Sequence, residues 1–230
     1  MDSHINAILD KMTGLKYSEL TFEMAHKLTN ESERGALLIG VGKIEEYLEK
    51  LINKILPAKQ KNYTLRLLNY PGPLSSFSGK IELLYAFRII DKRLYDSITI
   101  LRKLRNKAAH SSEIFSLQDT NESLDKIYDF EYGFKEVVHK LAYDHLIKWK
   151  IETIKDGFKG KNMDKIDVNE LWTKYYDDLE HKKIIQEQLT IWKLAYGLTF
   201  LCLKIEVLID EFDFLDESNE IWIHYIKSNK

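Results

Sequence analysis

The sequence is short of several things that commonly fix a fold. Its one cysteine, Cys202, has no partner in the chain, so no internal disulfide forms and a reducing compartment is the simplest setting. Set within the apolar stretch Leu201–Leu203, it reads as a small buried residue rather than a reactive thiol. Three prolines occur, Pro57, Pro71 and Pro73, all close together, so helices can run almost uninterrupted on either side. Ten glycines in 230 residues offer few phosphate-cradling loops, and neither a Walker-type loop nor a GxGxxG run is present. A net charge of −2 excludes a global polyanion-binding field. No apolar run is both long and free of charge. Ile191–Ile209 comes nearest, but Lys193, Lys204 and Glu206 interrupt it, and Met1–Asp10 has no apolar core of signal-peptide length. A soluble, cytoplasmic chain with no membrane partner is the expectation.

What is present is helical. Hydrophobic residues make up 44% and charged residues 30%, a globular balance, and no segment alternates with the two-residue period of a strand. The spacing predicts an opening helix over Ser18–Leu28. It predicts a second from Glu33 to about Leu56, capped by Asn30 or Ser32 and ended by Pro57. In the second, Leu37, Val41, Ile44, Leu48, Leu51 and Ile55 form a core stripe, while Glu45, Glu46, Glu49, Lys50 and Lys54 read as a solvated face. Ser75 or Ser76 caps a third helix through Ile90, and Leu94, Ile98, Leu101 and Leu104 line the next after a junction at Asp91 and Lys92. A long helix is expected from Asn121 to Thr153, a hinge over Asp156–Asp167, then helices near Val168–Leu179 and Lys183–Ile209 and an acidic, aromatic tail. The resulting fold class is all-α: an antiparallel helical bundle at residues 1–153, with a helical extension at 154–230 that packs on it or forms a dimer interface. Ile191–Ile209 is apolar on too much of its circumference for a surface helix.

Charge is unevenly spread. Residues 1–115 hold 18 Lys and Arg against 13 Asp and Glu; the remainder holds 16 against 23. The most basic neighbourhood, Lys80–His110, has eight against three. Within it lies Arg105-Asn106-Lys107-Ala108-Ala109-His110. Histidine has the ordinary pKa for acid–base work near neutrality, and an arginine can clamp phosphate oxygens in bidentate fashion as charge builds. Five residues apart on an ideal helix, Arg105 and His110 point about 140° apart. They converge only if the helix ends or kinks there, or if a second subunit supplies the other group.

Three stretches in order carry a family resemblance: Ser-Glu-Arg-Gly-Ala at 32–36, Gly-Pro-Leu-Ser-Ser-Phe-Ser-Gly-Lys-Ile at 72–81, and Ile-Leu-Arg-Lys-Leu-Arg-Asn-Lys-Ala-Ala-His at 100–110. Their order and spacing resemble the mannitol-operon repressor-like branch of the HEPN helical superfamily over Ser32–Leu117, and the last resembles the RNxxxH signature. The resemblance implies a metal-independent endoribonuclease, a toxin or antiviral effector, in which motifs from two protomers face each other. There the 2′-hydroxyl of RNA attacks the adjacent phosphate and leaves a 2′,3′-cyclic end. On that reading Arg105, Asn106 and His110 are catalytic, Arg102, Lys103 and Lys107 hold the RNA backbone, and no metal or cofactor is used. The implied partners are RNA, a second copy of the chain and an antitoxin-like protein. The alternative is a non-catalytic regulator or immunity-type module of the same family, acting through protein contacts or, as a third form, binding nucleotide without turnover.

Other candidates are weaker. His139 and His145 stand six apart, off the spacing of a helical metal pair, and the remaining histidines are scattered. Ser75, Ser76 and Ser78 lack a nucleophile-elbow context and read as capping residues. Trp149, Trp172, Trp192 and Trp222 can stack on bases, though their helical spacing among leucines favours packing.

Overall fold

The computed structural model describes residues 23–56, 61–110, 115–157 and 179–217. Among them no strand occurs, and the all-α expectation holds. Residues 23–29 are helical, with Ala25 and Leu28 in the core; the first part of the expected opening helix, 18–22, lies outside the described residues. Helix α1, Glu33–Ile55, is capped by Ser32, whose Oγ accepts from the Gly35 N–H at 3.0 Å. That cap is worth about 1 kcal/mol. The core stripe appears with one exchange: Leu37, Val41, Ile44, Leu48 and Leu51 are buried, and Ile52 rather than Ile55 completes it. Pro57 is outside the described residues, and α2 follows as Lys61–Leu68.

Helix α3, Phe77–Ala86, is capped by Ser76, which accepts from Gly79 N–H at 3.0 Å. It stops four residues short of the expected end because Arg88 takes a left-handed φ of 59°, turning the chain so that Ile89 N–H bonds Leu84 O at 2.9 Å. Asp91 then accepts from Leu94 N–H at 2.9 Å and starts α4, Lys92–His110. The expected single helix from Asn121 to Thr153 is broken. Asn121–Ile127 forms α5, a 3₁₀ turn covers Tyr128–Phe130, Gly133 adopts φ 82°, and α6 runs Phe134–Gly157. Only a residue without Cβ enters that conformation cheaply, and the break lets Tyr128, Phe130 and Phe134 all point inward.

Helix α7, Leu179–Glu217, is the longest and joins the same core as the rest. The predicted hinge and the helix near Val168–Leu179 fall mostly in 158–178, outside the described residues, although Asp156 and Gly157 still belong to α6. The tail through Glu217 continues α7. From Leu194 to Leu203 every residue of α7 is buried, which accounts for its all-round apolarity within one chain. It lies chiefly against α1 and α6. Against α1 it runs parallel: Gly40 meets Leu198, and Lys43 and Tyr47 lie toward Cys202 and Glu206. Against α6 it runs antiparallel, with His145 beside Tyr196 and, beyond Phe134 against Phe200, Lys204 bonded to Glu131. Burial pushes the Cys202 thiol up to about 12, so it is a packing residue, as expected. No helix of the described residues is long and apolar enough to cross a membrane.

Candidate functional site at the end of α4

The polar face of α4 emerges from the way its other face is buried. Leu94, Ser97, Ile98, Leu101, Leu104 and Ala108 point inward, toward α1, α3 and α5. The helical period therefore turns Lys103, Arg105, Asn106, Lys107, Ala109 and His110 to solvent, with Arg102 half-buried at the edge. No carboxylate interrupts residues 102–110, so the last two turns form a continuous cationic ridge.

The helix persists through His110 without a kink. Arg105 and His110 thus diverge around the axis, and a single chain does not bring them to a common point. Arg105 Nη1 instead donates to Oδ1 of its neighbour Asn106 at 3.3 Å, which orients the amide beside the guanidinium. Of the two small residues between Lys107 and His110, Ala108 is in the core and Ala109 is exposed.

The other two motif stretches build the frame behind this ridge. Ser32 caps α1, and the next residue, Glu33, accepts from Leu117 N–H at 2.8 Å, tying the chain beyond α4 back to the start of α1. In the 72–81 stretch, Ser75 Oγ donates to Gly72 O at 2.7 Å and Ser76 caps α3, as the capping reading expects. A Cβ on Gly72 would sit 2.2 Å from Arg66 O, and one on Gly79 2.6 Å from Pro73 O, so both glycines permit close backbone approach.

Lys80 is the residue that pattern reading missed. It is only 2% exposed, and its Nζ donates to Glu45 at 2.7 Å and Glu49 at 2.5 Å on α1. Burial works against its charge, but the two hydrogen bonds outweigh it and hold the ammonium above the usual lysine range. The expectation of a purely solvated acidic face on α1 is corrected accordingly: Glu45 and Glu49 anchor α3. The signal was a lysine inside an otherwise apolar α3 face, with two acids one turn apart on α1 to receive it.

A second polar group lies at α5 and α6. Asp125 binds Lys135 at 2.8 Å and has His139 Nε2 3.3 Å away. Burial opposes its charge, yet the bond to Lys135 holds the carboxyl below the ordinary range. His139 and His145 do not share a site. His139 stands edge-on to Tyr128, whereas His145 hydrogen-bonds the Tyr196 hydroxyl and stacks with its ring, beside the buried Trp192. Trp149 is partly exposed, and Trp172 and Trp222 lie outside the described residues. Among the described residues no group of three or more His, Cys, Asp or Glu is arranged to hold a metal ion. No protein-family model, curated protein or solved structure matches the chain.

Proposed function

We propose that the solvent-facing end of α4 is an RNA-binding surface and that, in a pair of chains, it cleaves RNA without a metal. The supporting observation is the solvent-facing set Lys103, Arg105, Asn106, Lys107 and His110, with Arg102 half-buried at its edge and no carboxylate among them, on a helix packed along its opposite side. The cations contact the phosphate backbone. Arg105 clamps the phosphate under attack and stabilises its developing charge, with Asn106 beside it. His110 transfers the protons as the 2′-hydroxyl attacks and the 5′-oxygen leaves. One imidazole cannot accept and donate a proton in the same step, and Arg105 diverges from His110 on one helix. Two copies, each presenting its ridge, supply what one lacks. The reading is of a cytoplasmic effector of toxin or antiviral type.

A second reading, a non-catalytic regulatory module, draws support from the first two motif stretches. Ser32, Gly72, Ser76, Gly79 and Lys80 all have architectural work in this fold, and shared architecture alone would produce the resemblance. The deciding experiment is incubation of the full chain with labelled structured RNAs in EDTA, beside His110→Ala. Cleavage by the wild type alone, leaving 2′,3′-cyclic ends, supports the nuclease. Binding without cleavage by two folded, dimeric proteins supports the module.

A further inference from the structure

Away from α4, the seam between α5 and α7 contains a cleft of about 410 Å³, within the size range of small-molecule sites. Its walls follow from helical spacing. Gln118, Asn121, Glu122, Asp125 and Tyr128 recur along one face of α5 and its flanking turns, opposite Gln186, Thr190 and Lys193 on α7. Leu124 and Leu189 add apolar surface.

Tyr128 is 1% exposed, and its hydroxyl has no hydrogen-bond partner among the described residues. A buried donor left unbonded is costly. The ring cannot swing away to find water, because it lies on Gly197 on one side and meets the edge of His139 on another. Burial raises its pKa, so it stays a protonated donor at neutral pH.

The two ends of the cleft differ in charge. Near Tyr128, the Asp125 carboxylate is already neutralised by Lys135. Lys193 stands close by with no ion-pair partner among the described residues, which leaves this end with one surplus positive charge. Partial burial lowers the Lys193 pKa, with Lys135 adding to the effect and Asp125 opposing it. At the other end stands the exposed Glu122 carboxylate, with the Asn121 and Gln186 amides. There Gln118 Nε2 donates to Thr190 Oγ1 at 3.2 Å and Asn121 Nδ2 donates to Gln118 Oε1 at 3.1 Å, so the wall is held in shape before any ligand arrives. Glu122 and Asp125 are one helical turn apart, about 5 Å.

We propose that this cleft binds a small zwitterion of the amino-acid class, its carboxylate toward Lys193 and the Tyr128 hydroxyl and its ammonium toward Glu122. A simple anion would answer Lys193 but leave the Glu122 carboxylate at the other end without a counter-charge. A simple cation would meet the surplus charge of Lys193. A molecule carrying both signs within a few ångströms satisfies both ends and the orphaned hydroxyl together. The assignment is independent of the reading of α4.

The test is thermal unfolding of the full chain with each protein amino acid singly, at about 10 mM. At least one should raise the melting temperature by about 2–5 °C. The matching acid without its amine, and the matching amine without its acid, should bind at least about tenfold more weakly. Tyr128→Phe and Lys193→Met should each remove most of the shift. Without ligand, Tyr128→Phe should melt no lower than wild type, since the deleted hydroxyl bonds nothing among the described residues. The proposal is overturned if no amino acid shifts the transition, if the deaminated acid does as well, if Lys193→Met keeps the full shift, or if unliganded Tyr128→Phe melts lower.

Discussion

The ring of Tyr128 rests directly on the backbone of Gly197: a Cβ there would stand 2.3 Å from Cε1 and 2.5 Å from Cδ1. The ring is rigid and held between Gly197 and the edge of His139, so neither partner can yield. Gly197→Ala should therefore destabilise the chain by about 1–3 kcal/mol, although alanine is the better helix former. Gly42, exposed on α1 with nothing within 4 Å of its hypothetical Cβ, is the control. Gly42→Ala should stabilise by about 0.5–1 kcal/mol. Urea unfolding of both variants checks the pair, and a stable Gly197→Ala would mean that the Tyr128 ring does not rest on α7.

The buried Lys80 makes an asymmetric prediction. Lys80→Met keeps the aliphatic stem and frees two partly exposed carboxylates to rehydrate, costing about 1 kcal/mol. Glu45→Gln with Glu49→Gln strands an ammonium in the core and should cost about 3–5 kcal/mol. Denaturant midpoints that reverse this order would show that Lys80 reaches water. The pH effect has a defined sign. The folded-state pKa is raised, so the stabilisation is complete below the unfolded value near 10.4 and is lost as pH climbs through the folded one. Lys80→Met should lack that alkaline loss.

These two cases also mark how far the sequence could be read. The stripe on α1 and the apolar side of α4 were legible because one helix sets them. The same period sets Arg105 away from that apolar side. Lys80 on an apolar face hinted at a buried partner, but the partner, Glu49, was not legible, since 31 residues and a turn at 69–76 separate them. The end of α3 depended on Arg88 entering a left-handed conformation, which no local residue preference demands. The break before α6 left only Gly133 as a mark, too little against strong flanking periodicity. The cleft is a product of α5 and α7, more than 50 residues apart, so neither helix alone reveals it.

His139 and His145 predict an acid-side loss of stability. Burial is the largest cause lowering both, with Lys193 adding to it at His139 and Lys148 at His145. The unfolded chain binds protons on these rings first. Stability is therefore full above the unfolded value near 6.5 and falls as pH drops through it toward the folded values. Urea midpoints at about pH 7.5 and 5.5 should show the decline. In His139→Gln with His145→Gln the slope should be shallower, and an unchanged slope would assign the effect to other groups.

The nuclease reading makes a quantitative prediction about mixed dimers. If His110 from both chains serves one reaction, as acid in one copy and base in the other, only dimers with two intact histidines turn over. Co-refolding equal amounts of wild type and His110→Ala gives about a quarter wild-type dimers, so activity per total chain should fall to about a quarter. If each chain cleaved alone, it would fall only to about a half. Lys103→Ala and Lys107→Ala should act differently, weakening binding on all RNAs alike. Each should reduce the slope of log K against log salt by about 0.7, the counterion release of one single-strand phosphate contact. A linear response to the His110→Ala fraction would place catalysis within one chain, where Arg105 and His110 diverge, and would remove the reason for requiring two.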